Sequence, residues 1–154
     1  MKTFIIATIA VLGLSVGFAS EKWDSGDKQL DRWLININHV AQGNWLEAIK
    51  EQAKTFNVPE ERLIETFEMY EFSPADFYLA LSIEKVTKTK WEDVVESFRV
   101  HRSSGVDKLR EIYGLTANSP QFKEVRALIQ KGAPEEDLAA EQENIFFKKE
   151  TKNN

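Results

Sequence analysis

From Asn44 to Phe146, apolar residues recur at intervals of three and four, and each run follows a residue suited to opening a helix. Asn44 can cap a helix with Glu47 as its third residue, which puts Trp45, Leu46, Ile49, Ala53 and Phe56 on one face. Pro59 fits a first helical position, because its ring pre-sets φ and its missing N–H would have no partner there; Leu63, Ile64, Phe67 and Tyr70 form the next stripe. Ser73-Pro74-Ala75-Asp76 reads as a cap, a proline and then a carboxylate near the positive end of the helix dipole, ahead of Phe77, Ala80, Leu81 and Ile83. Thr89 and Glu92 have the spacing of a capping box before Trp91, Val94, Val95 and Phe98. Ser104 to Asp107 predicts a short helix carrying Val106, Leu109, Ile112 and Tyr113 and closed by Gly114. Ser119-Pro120 opens another, with Phe122, Val125, Leu128 and Ile129 inward and Gly132 as its stop. Pro134 starts the last, with Glu135, Glu136 and Asp137 in its first turn and Leu138, Gln142, Ile145 and Phe146 toward the body. The pattern predicts an all-α fold: a compact bundle of six or seven short helices over 44–147, followed by a frayed tail at 148–154.

The first 43 residues follow other rules. Met1-Lys2 precedes the uncharged run from Thr3 to Ala19, which ends in small residues, as secretory signal peptides do. Gly17 and Ala19 suit the −3 and −1 pockets of a signal peptidase, so cleavage is expected between Ala19 and Ser20. The competing reading is an uncleaved anchor, but the run is at the lower edge of what crosses a hydrocarbon core and holds Gly13 and Gly17. Residues 20–43 form an N-terminal arm with two readings. Leu34 to Val40 alternates apolar and polar residues over its second half, like a strand or extended arm, whereas Asp27 to Ala41 also accommodates a helix.

Composition narrows the function. The chain has no cysteine, which removes thiol nucleophiles, Cys-ligated metals and redox chemistry, and leaves stability to packing even in an oxidising compartment. The formal net charge is −5, so nucleic acid is a poor partner. No Gly/Ser linker divides the part after residue 19, which has the size of one domain.

Four stretches, NVPEERL (57–63), SPADFYLALSIEKVTK (73–88), GVDKLREIYGL (105–115) and NSPQFKEVRAL (118–128), resemble in order a family of small exported helical bacterial proteins. This chain reads HRSSGVDKL where the family pattern has a Lys-Gly-rich tract with a Trp. The resemblance implies a fold and export, and it carries no activity.

Candidate chemistry is sparse. His39 and His101 are far apart and have no neighbouring ligand at metal-binding spacing, so neither metal nor cofactor is expected. Ser73, Ser104 and Ser119 are taken up as caps, and no Gly-x-Ser-x-Gly occurs, so the chain does not read as an enzyme. Glu92, Asp93 and Glu96 read as a solvated face rather than paired catalytic acids. The one charge anomaly runs from Lys85 to Arg110. Its Arg99, His101 and Arg102 are binding candidates for an acidic partner, although cations in a last helical turn also offset the helix dipole. Trp45 and Trp91 fall on apolar stripes and read as core, whereas Trp23 and Trp33 lie in the arm and are candidates for exposed contact surface. The expectation is a periplasmic or secreted binding module, with an envelope protein as its partner. A peripheral binder of membrane or envelope polymer is the alternative, and an enzyme of unknown type is the third reading.

Overall fold

The computed structural model describes residues 23–134. Among them are seven α-helices and no strand: α1 (Lys28–Val40), α2 (Trp45–Phe56), α3 (Glu60–Tyr70), α4 (Pro74–Thr87), α5 (Trp91–His101), α6 (Val106–Ile112) and α7 (Pro120–Gly132). A 3-10 turn, Arg102–Ser104, joins α5 to α6. The expected last helix, the tail and the signal segment lie outside the described residues.

Helix α4 organises the rest. It carries no charge between Asp76 and Glu84, and every residue from Pro74 to Ile83 is buried. A helix that is apolar all round has no face to give to water, so it takes the centre, where α1, α2, α5 and α7 pack against it. Leu79, Leu81, Ile83 and Phe77 from α4 join Leu30, Leu34, Ile49, Phe98 and Ile129 in one continuous core. Burying each such side chain stabilises the fold by about 1.5–3 kcal/mol.

Of the two readings for 20–43, the helix forms and the extended arm is corrected. Leu30, Leu34, Ile37 and Ala41 are buried at spacings of four, three and four, which outweighs the short alternation near Ile35. Asp27 fixes the start: its Oδ1 accepts from the N–H groups of Gln29 (3.0 Å) and Leu30 (3.1 Å). Helix α1 is therefore part of the core and not an appendage.

Several helix starts differ from the expected ones. Thr89 does not form the capping box; its hydroxyl lies 2.7 Å from that of Thr87, and Lys90 occupies the cap position of α5. Ser104 belongs to the 3-10 turn, and Gly105, at φ +90°, takes the cap of α6. Asn44 caps α2 without a side-chain hydrogen bond, and Leu46, expected inward, is exposed. Ser73 and Ser119 do cap α4 and α7.

Gly132 closes α7 directly against Tyr78 on α4, and a Cβ there would overlap the phenol ring. The Tyr78 ring is buried and meets Phe56 edge-on at 5.0 Å, so moving it forfeits that contact. Gly132→Ala, which at an open helical site would stabilise, is expected here to destabilise by about 1–3 kcal/mol in urea unfolding. A stabilising effect would show that the ring has room to move.

Candidate functional site

The amino end of α4 carries a buried polar network. Ser73 Oγ accepts from the Asp76 N–H (3.2 Å), and Asp76 Oδ2 accepts from the Ser73 N–H (2.7 Å), which completes a capping box. Asn38 on α1 ties this corner down: its Nδ2 donates to Ser73 Oγ (3.2 Å) and its Oδ1 accepts from the Ala75 N–H (2.8 Å). Asp76 is 1 % exposed, and Arg102, in the turn after α5, lies 3.2 Å from its Oδ2. Burial raises the Asp76 carboxyl to about 6, against the pull of its bonds with Ser73. Burial likewise lowers the Arg102 guanidinium below its ordinary value. That guanidinium also approaches the Phe72 ring, 6.0 Å from its centroid, so the pair closes the corner between α4 and α5.

Three other cations of the expected anion-facing patch, Arg99, Lys108 and Arg110, are partnered within the fold. Arg99 makes a two-pronged bond to Glu96 (2.6 and 2.7 Å), and Lys108 binds Glu111 (2.8 Å). Arg110 donates to the carbonyls of Ser25 and Leu115 while stacking 4.1 Å over Phe122. The segment before α1 is pinned again where the Asp107 N–H donates to Asp24 O (3.1 Å) and Arg126 pairs with Asp27 (2.9 Å). Arg110 and Arg126 hold the amino-terminal strap onto α6 and α7, whereas the Arg99 and Lys108 pairs lie within their own helices.

Between that strap, the end of α5 and the start of α6 lies an open cleft of about 540 Å³. Phe98, Val106 and Leu109 form an apolar floor, and Trp23 closes one side. Arg99, Arg102 and the exposed Ser103 form the opposite rim. Three of the candidate residues, Trp23, Arg99 and Arg102, thus meet at one site. His101 ends α5 and does not line the cleft. Trp33 is also elsewhere: it packs partly buried on the core beneath Arg126, whose guanidinium carbon is 4.9 Å from the ring centroid. Trp23 is likewise partly buried, but keeps a face toward the cleft. Trp91 is core as expected, and Trp45 is partly exposed beside Phe67. Ala19 and Ser20 lie outside the described residues.

Sequence reasoning missed the Asp76–Arg102 pair. The Ser-Pro-Ala-Asp motif explained Asp76 fully as a surface cap, and nothing local showed that a cation 26 positions later would reach it. The usable signal was the apolar run on both sides of Asp76, which marks a buried helix and therefore a buried cap. No family model matches this chain, and neither a curated protein nor a solved structure shows a significant match to it.

Proposed function

We propose that the chain is an exported interaction module of the cell envelope that grips a segment of a partner protein in the cleft beside Trp23. The cleft carries this reading. It joins an apolar floor to an indole wall and an arginine rim, and Trp and Arg are the side chains that most often anchor protein interfaces. Its cations already have carboxylate partners in Glu96 and Asp76, which favours a partner contributing an apolar anchor over an anionic lipid or glycan surface. Export rests on the Lys2 start and the uncharged run to Ala19 with its small residues at the end. In this reading the chain acts by binding, and Asp76, the buried acid at the cleft, serves the fold through Ser73 and Arg102.

The test is affinity purification of the tagged mature protein from the envelope of its own host. One recurrent protein is expected, and its recovery should fall with Trp23→Ala and with Ser103→Trp, which fills the cleft, but not with Met69→Ser on the exposed face of α3. Loss of such an anchor corresponds to about 2 kcal/mol, or roughly 30-fold in Kd. Retention on anionic liposomes at low salt but not high salt, with no protein recovered, would replace this reading by a membrane one.

A further inference from the structure

We infer that the chain's own carboxy-terminal segment, residues 138–147, docks in the groove formed by α1, α2 and the end of α7. This groove is separate from the cleft beside Trp23, so the inference does not depend on the proposed function.

The groove holds about 500 Å³. Ile37 and Val40 of α1 and the next residue, Ala41, line one side and Ala48 of α2 another; Ile37 and Ala41 are buried, and Val40, 60 % exposed, is the apolar edge left for an occupant to cover. Gln52 also lines the groove and is buried, with its Nε2 donating to Pro74 O at 2.9 Å.

The position of the chain's exit selects the occupant. Lys131 and Gly132 form the remaining edge of the groove, and the chain leaves the described residues just after them. Ala133 is extended at φ −78° and ψ 140°, and Pro134 lacks the N–H that would continue α7, so the path breaks away from the helix axis there. Residues 135–154 follow. Within them Leu138, Gln142, Ile145 and Phe146 fall at spacings of four, three and one, which places three apolar side chains and one amide donor on a single helical face. Lys148 and Lys149 come directly after Phe147 in the sequence, and their charge is complementary to that of Glu47 and Glu51, which line the groove. A tethered segment also needs no second molecule, because its effective concentration at the groove is set by a linker of only a few residues.

Hydrogen exchange of the full mature chain tests the docking. Amides of 138–147 are expected to exchange about tenfold or more slowly than an unstructured peptide. The double substitution Val40→Asp/Ala48→Asp should abolish that protection while leaving α4 and α7 protected, which shows that the variant still folds. As a second readout, a photoreactive benzoylphenylalanine at position 40 should crosslink to 138–147 within one molecule. Unprotected 138–147 in the unaltered chain would overturn the inference. So would protection indifferent to the groove substitutions, or protection and crosslinks that appear only as concentration rises, which would mark a second copy as the occupant.

Discussion

Removing the Arg102 guanidinium should destabilise the fold by about 3 kcal/mol at pH 7.5 and by much less at pH 4.5. Arg102→Ala strands the Asp76 carboxylate, which is 1 % exposed and, among the described residues, otherwise held by Ser73 in the bonds described above. Breaking a buried pair from one side typically costs about 3–5 kcal/mol; the lower end applies because the Arg102 side chain is 33 % exposed and part of its attraction is already screened. The pH dependence follows from the Asp76 carboxyl, raised by burial from 3.8 to about 6. Between those values the folded protein holds a proton that the unfolded chain releases. The contribution of this group to stability is therefore largest below the lower value and is lost as pH rises through the upper one. At pH 4.5 Asp76 is neutral and has no need of the arginine. Glu96 and Glu111, lowered by Arg99 and Lys108 respectively, tilt the surface the opposite way, so the diagnostic comparison is Asp76→Asn. That variant should flatten the slope between pH 4 and 6, and in combination with Arg102→Ala it should recover most of the loss at pH 7.5. Urea unfolding of the four proteins at both pH values decides the matter. An equal cost of Arg102→Ala at the two pH values would mean that the pair contributes packing only.

Phe72→Ala should be the most damaging single truncation, at about 3–5 kcal/mol. Phe72 precedes the cap of α4 and is 1 % exposed. Its ring centre lies 5.6 Å from those of both Phe77 and Phe98, and 6.0 Å from that of Tyr70. It therefore joins α3, α4 and α5 at one point, and the surrounding rigid rings cannot collapse into the space it leaves. The same truncation removes the ring under Arg102, so it should also loosen the cleft. Thermal unfolding checks the first effect. A loss below about 1 kcal/mol would show that neighbouring side chains refill the site.

Helical identity was legible because it depends on local chemistry. The Ser73 and Ser119 caps and the stripes through Ile49, Leu63, Val94 and Val125 each need only a few neighbouring residues to declare themselves. Boundaries were less legible where helices end without glycine: Asn57, Glu71 and Lys88 adopt left-handed backbone at φ 54°, 53° and 60°, a conformation their side chains do not announce. Thr89 misled because its hydroxyl had two uses within reach and took Thr87. Helix α1 was ambiguous because only Leu30 and Ala41 extend the stripe past the seven residues from Leu34 to Val40.

The candidate site was legible only in part, for a different reason. Trp23, Arg99 and Arg102 stood out by residue type, but their meeting depends on the amino-terminal strap folding back over α6, a contact between residues some 80 positions apart. Local patterns cannot encode that. The charge count also gave the wrong emphasis. Between Lys85 and Arg110 the basic residues look like a surface for anions, whereas Arg99, Arg102, Lys108 and Arg110 each have a partner in the folded chain.

Whether the cleft beside Trp23 is where a partner protein binds can be asked most directly in living cells. A benzoylphenylalanine at position 103, on the cleft rim, reports what lies against it on illumination; the same group at position 69, on α3, serves as the reference. One discrete adduct with an envelope protein, formed from position 103 and absent from position 69, is the result this account predicts. No protein adduct from position 103, or the same adducts from both positions, would contradict it.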